Sequence, residues 1–147
     1  MRTTFFALLL ALPFTALAQQ NGLGLGIIVG EPTGLSFKQW IGGDKAVDGA
    51  IAWSFREPGS LHIHADHLWH KFELINVSTG KLPLYFGVGG RIRFANDAEL
   101  GIRLPVGLAY LFDGAPVDVF LEVVPILDLV PASDVSFNGA FGARYYF

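Results

Sequence analysis

Cysteine is absent from the 147-residue sequence, so no disulfide braces the chain. A domain of this size without that brace must close its own hydrogen-bond network or build a substantial core. Long apolar runs are absent too. After the first 20 residues, no stretch of about 18 apolar residues is free of charge, glycine and proline, which excludes a transmembrane helix. No segment repeats its apolar residues with the 3.6-residue period of a helix. A strong charge of either sign is also missing. The net charge is −3, so there is no electrostatic case for binding nucleic acid. Low-complexity runs and linkers are lacking as well, which leaves room for one domain.

What is present is apolar content spread thin. Hydrophobic residues make up 52% and aromatics 14% of the chain, with 18 glycines. Mean hydropathy is +0.45, high for a water-soluble protein. The first residues form a separate unit. Arg2 supplies a positive start, residues 5–14 (FFALLLALPF) an apolar run, and Ala16-Leu17-Ala18 a small-residue cleavage pattern. Residues 1–18 are therefore expected to be an export signal, cleaved after Ala18. Residues 19–147 are expected to form one all-β domain.

In that domain eight segments alternate apolar residues with small or charged ones, the two-residue period of a strand. They are 22–30, 35–41, 45–55, 61–76, 84–94, 100–110, 117–123 and 135–147. Turn residues separate them, among them Glu31-Pro32-Thr33-Gly34, Gly42-Gly43-Asp44 and Asp113-Gly114. In the fourth segment the phase flips beyond Asp66, where Leu68, Phe72 and Leu74 become the apolar row; a bulge near Asp66-His67 would do this. Residues 127–133, with Pro131, read as a loop.

The face opposite the apolar one decides the architecture. On a soluble sheet it should be crowded with Lys, Glu, Thr and Gln. Here it is mostly Gly, Ala and Ser with isolated charges, which suits the narrow interior of a closed antiparallel up-and-down β-barrel of eight strands with its apolar face in lipid. The isolated charges nearly balance. Lys38, Arg91, Arg93, Arg103 and Arg144 stand against Asp48, Asp66, Asp118 and Glu122. A dry interior needs its charges paired. Hairpin register sets Lys38 across from Asp48, Arg103 diagonal to Glu122, and Asp118 within reach of Arg144. Such pairing predicts a plugged interior rather than an ion pore. Aromatics gather toward strand ends. With both termini on the periplasmic side, Trp53, Phe55 and Phe94 fall near one rim and Tyr110, Tyr145 and Phe147 near the other, as two interfacial girdles would.

The last residues, Gly142-Ala143-Arg144-Tyr145-Tyr146-Phe147, resemble the C-terminal signal by which barrel-assembly machinery recognises its clients. With the export signal and eight segments, the chain resembles small eight-stranded outer-membrane barrels of the OmpA/OmpX type. Gly30-Glu31-Pro32-Thr33-Gly34-Leu35, Leu82-Pro83-Leu84-Tyr85 and Arg144-Tyr145-Tyr146-Phe147 look like a family of small predicted outer-membrane barrels with no assigned activity. The resemblance implies an outer-membrane location in a Gram-negative cell envelope, lipids as surroundings, and the assembly machinery as a partner through Phe147. The turns are short and only 127–134 is longer, which argues against an adhesin, since adhesion lives on long loops.

All four histidines lie in His62-Ile63-His64-Ala65-Asp66-His67-Leu68-Trp69-His70. On a strand His62, His64 and Asp66 share a face at steps of about 6.6–7 Å. Alternate imidazoles can share a zinc or copper ion, but side chains of a polar interior read the same way. Ser54, His62, His64 and Glu57 near one rim are the residues a lipid-modifying enzyme would use. Their spacing does not resemble lipid A deacylases or acyltransferases. The glycine-rich 22–26 and 87–90 are not phosphate loops, because no helix follows them. The expectation is a non-enzymatic barrel with a structural or surface-interaction role, no cofactor and a non-conducting interior. The alternatives are a soluble periplasmic lipocalin-like lipid carrier and an outer-membrane lipid-modifying enzyme.

Overall fold

The computed structural model describes residues 22–54 and 59–147. Phe55, Glu57 and the expected export signal lie outside them. The described residues form nine strands and no helix. β1 is Leu23–Gly30, β2 Thr33–Gly42, β3 Lys45–Trp53, β4 Leu61–Lys71, β5 Leu84–Phe94, β6 Ala98–Arg103, β7 Val106–Leu111, β8 Val117–Val130 and β9 Asp134–Tyr146.

All pairings are antiparallel and belong to one sheet. Consecutive strands pair except β6 with β7, which each lie between β5 and β8; β1 also pairs with β9, and the hydrogen bonds run round in a ring. A ladder that returns to its start leaves no unpaired edge. The ring has eight places for nine strands, because β6 and β7 share one. Pro105, which has no N–H to donate, interrupts the expected single segment 100–110. Carbonyls bridge the gap: Gly87 N–H donates to Pro105 O and Leu104 N–H to Pro125 O, both at 3.0 Å.

The alternation seen in the sequence becomes two faces. Outward positions carry exposed Ile27, Leu35, Leu121, Val135 and Phe141, with Leu121 59% and Val135 62% exposed. Inward positions carry Lys38, Asp48, Asp66, Arg103, Asp118, Glu122 and Arg144, each at most 3% exposed. Glycines make room inside and out. Four rings lie over the glycine directly across the ladder: Tyr146 over Gly24, Phe37 over Gly49, Tyr85 over Gly107 and Phe120 over Gly142. A Cβ on Gly107 would stand 2.5 Å from the Tyr85 ring. Aromatic residues covering cross-strand glycines in this way hold register.

Three expectations are corrected. β4 keeps one phase throughout, and the pairings on both of its sides run without a bulge. Leu68 therefore points inward among Trp40, Tyr85 and Leu111. An apolar residue in the interior breaks the polar-inside rule locally, which is why the phase seemed to flip. Second, 127–133 is not a loop. β8 continues to Val130, with Val124, Ile126 and Asp128 inward, so only 131–133 turns. The longest described connection between strands is instead 72–83, at the end that carries Leu23 and Phe147. Third, the fourth segment does not run to residue 76 but ends as β4 at Lys71.

Candidate functional site

The ring's interior is layered along its length. At the end where β1 begins and β9 finishes, Trp40, Leu68, Tyr85, Leu111 and Tyr146 form a buried cluster, with Phe72 packed against it. Lys38 enters this layer. Its Nζ lies 4.4 Å from the Trp40 ring centroid, a cation–π contact. It donates to His70 Nε2 at 2.8 Å, and His70 Nδ1 in turn donates to the Asp44 carbonyl at 2.9 Å. The strand register does set Lys38 across from Asp48, but the lysine turns to His70 and Asp48 is bound elsewhere.

The middle layer is ionic. Arg144 donates to Ser36 Oγ and Asp48 Oδ2, each at 3.0 Å, and comes within 3.8 Å of Asp118. Its guanidinium carbon lies over Phe120, 3.9 Å from the ring centroid. Tyr146 donates its hydroxyl to Asp118 Oδ2 at 2.5 Å. Arg103 reaches over Gly89 of β5 to Asp66, with its Nε at 3.0 and 3.2 Å from the two carboxylate oxygens. The expected diagonal pair of Arg103 with Glu122 is therefore not formed. Glu122 accepts from the Tyr85 hydroxyl at 3.2 Å instead. His64 lies 3.5 Å from Asp66.

At the far end the layer is polar and partly open. Arg91 grips Asp128 with its Nε and Nη2, the shortest contact being 2.7 Å. Arg93, half-buried, pairs with Glu99 across the β5–β6 ladder. Ser54 donates to Glu31 at 2.6 Å, and Ser60 and His62 lie 3.4 Å apart. These groups border a recess of about 220 Å³, whose lining also includes Asp134, Ser136 and Asn138.

His62 and His64 do share an inward face, as alternate strand positions must. The ladder places Arg93 beside His62 and Arg91 beside His64. A guanidinium next to each imidazole opposes a bound cation, and among the described residues no cluster of three His, Asp or Glu has the arrangement of a metal site. Ser54 and His62 line the recess together, with Ser54 committed to Glu31.

Of the outward aromatics, Trp53 and Phe94 flank Leu61 in one row across three strands at the open end. Tyr110, Tyr145 and Phe147 lie at the closed end, with Tyr145 and Phe147 edge to face at 5.1 Å. Sequence reasoning missed three companions there. Phe112 packs on Tyr110, and Trp69 stacks on Phe86 at 5.9 Å. The misplaced phase of β4 hid Trp69. Asp128 was missed for a similar reason, since it stood in the expected loop.

Comparison with protein-family models, with curated proteins and with solved structures finds no match for this chain.

Proposed function

We propose that residues 19–147 form an outer-membrane β-barrel, delivered by a cleaved export signal, with its apolar face in lipid and a polar, non-conducting interior. Its role on this reading is structural or one of surface interaction. One observation carries the proposal: the outside of the ring is a continuous band of large exposed hydrophobic side chains, while Lys38, Arg103 and Arg144 are shut inside. In water such a surface would drive aggregation. Between acyl chains it is the favoured arrangement, and a closed ladder is one of only two backbone designs that satisfy every N–H and C=O there. The aromatic rows at the two ends stand where interfacial girdles would. The C-terminal Phe147 fits recognition by barrel-assembly machinery.

The soluble carrier requires the opposite orientation, with Phe86, Ile102 and Leu121 meeting in a core and Arg91 in solvent. Those three are exposed and Arg91 is 6% exposed, so nothing favours it. The interior layers support a plugged barrel, because aromatic and ionic side chains fill the cross-section from β2 to β9. The test is fractionation of expressing cells with selective detergent extraction, followed by gel migration of unheated and boiled samples. The barrel reading expects the chain in the outer-membrane fraction, faster migration before boiling, and no steady conductance in planar bilayers. Release in soluble form by osmotic shock overturns it.

A further inference from the structure

We propose that the recess at the open end is a binding site for one neutral, polyhydroxylated ring of the size of a single sugar. The inference goes beyond the barrel reading and does not need the ring to sit in lipid.

Three observations lead there. The first is shape. The interior is stopped at one end by the Trp40, Leu68 and Tyr85 layer, so the recess is a cup with a single mouth. Its volume of about 220 Å³ falls below the range that takes drug-sized ligands and suits one small ring.

The second is charge. The ionic groups of the lining are already engaged within the protein. Arg91 holds Asp128 through two nitrogens, Arg93 holds Glu99, Glu31 accepts from Ser54, and Asp134 accepts from the Val135 N–H. An anion or a cation entering the cup would compete with these contacts for the same charged groups. A neutral ligand need not. Paired guanidinium and carboxylate groups still have spare donor and acceptor positions, since an arginine has five N–H groups and a carboxylate about four lone-pair sites. That mixture suits vicinal hydroxyls, each of which donates and accepts.

The third is an unfilled valence. The Ser136 hydroxyl is buried in the lining and has no partner among the described residues. A buried hydroxyl without a hydrogen bond is unfavourable, and a ligand hydroxyl beside it would remove that cost.

The experiment uses the full mature chain folded in a detergent without a sugar headgroup. Folding is first established by circular dichroism and heat-dependent gel migration. Failure at that step would count against the barrel reading, not against the site. Methyl hexopyranosides are then titrated while the histidine resonances are followed by NMR, with acetate and inorganic phosphate as charged probes. The expected result is saturable displacement of the His62 signals with millimolar affinity for at least one glycoside, and none for the anions. Ser136→Leu fills the cup and should weaken binding about tenfold or more; Ser136→Ala, which is milder, should weaken it about threefold. Leu121→Ala, on the outer face, should leave it unchanged. Repeating the titration with the same sugar on a glycolipid in nanodiscs separates a lipid-linked ligand, which would bind more tightly, from a free one. Absence of any glycoside response, a response undiminished in both Ser136 variants, or tighter binding of phosphate or acetate overturns the proposal.

Discussion

The two ends of the interior solve the same packing problem with different chemistry. At the closed end, strands β2, β4, β5 and β9 turn Trp40, Leu68, Tyr85 and Tyr146 inward, and the buried Lys38 is held between aromatic faces and a histidine nitrogen. At the open end, β4, β5, β8 and β9 turn in His62, Arg91, Asp128, Ser136 and Asn138 around a recess. In the closed half a buried polar group depends on partners inside the protein. In the open half water can complete a missing bond. The same substitution should therefore cost more near the closed end than near the open one.

The largest effect is expected for Arg144→Ala. Its guanidinium joins Ser36, Asp48 and Asp118 and lies on Phe120, so its loss strands two buried carboxylates in the dry layer. Breaking a buried pair in this way costs about 3–5 kcal/mol. Denaturant unfolding of the refolded chain in lipid vesicles should show that loss. A change below about 1 kcal/mol would mean that water reaches the middle of the interior, and the contrast between the ends would fail.

Leu68→Ala comes next. Truncating a fully buried leucine leaves a cavity among rigid rings, which costs about 2–5 kcal/mol. The same experiment on Leu121, whose side chain faces outward, should give a much smaller loss, because truncating an exposed side chain leaves no enclosed cavity. Equal losses at the two positions would contradict the assigned facing of β4. Arg91→Ala sharpens the comparison directly. It removes a better-formed arginine–aspartate grip than that of Arg144, yet Asp128 borders the recess and can be hydrated. The expected cost is about 1–3 kcal/mol, below that of Arg144→Ala in the same assay.

The contrast between the ends explains what could be read in the sequence. The outward face was legible because Ile27, Leu35 and Phe141 obey a simple two-residue period, and the inward charges were legible as its exceptions. Hairpin geometry then gave pairs on adjacent strands correctly in register, with Lys38 opposite Asp48 and Asp118 opposite Arg144. Contacts that skip a strand were not legible. Arg103 with Asp66, Arg91 with Asp128 and Tyr85 with Glu122 each join residues 37 apart, two strands away on one rung, over the intervening Gly89, Gly101 and Gly107. Reading one hairpin at a time does not reveal a pair that reaches over a glycine to the next strand but one. The closed end was the hardest to read, because inward Leu68 and Trp40 imitate outward residues and shifted the apparent phase of β4.

The smallest effect is expected at the residue whose importance adjacent-strand reasoning overstated most. If Arg103 depended on Glu122, removing that carboxylate would leave a buried guanidinium unpaired and cost several kcal/mol. Arg103 instead has both Asp66 oxygens, and Glu122, among the described residues, accepts a hydrogen bond from the Tyr85 hydroxyl alone. Glu122→Gln keeps a carbonyl oxygen for that hydroxyl and removes a buried charge. The expected change is within about 1 kcal/mol of zero, in either direction. Asp66→Asn, in the same layer and equally neutralising, should cost clearly more because it weakens the partner Arg103 does use. Unfolding midpoints of the two variants, measured side by side, decide which carboxylate Arg103 needs. A larger loss from the glutamate substitution would show that the arginine turns to Glu122 of β8 rather than to Asp66 of β4.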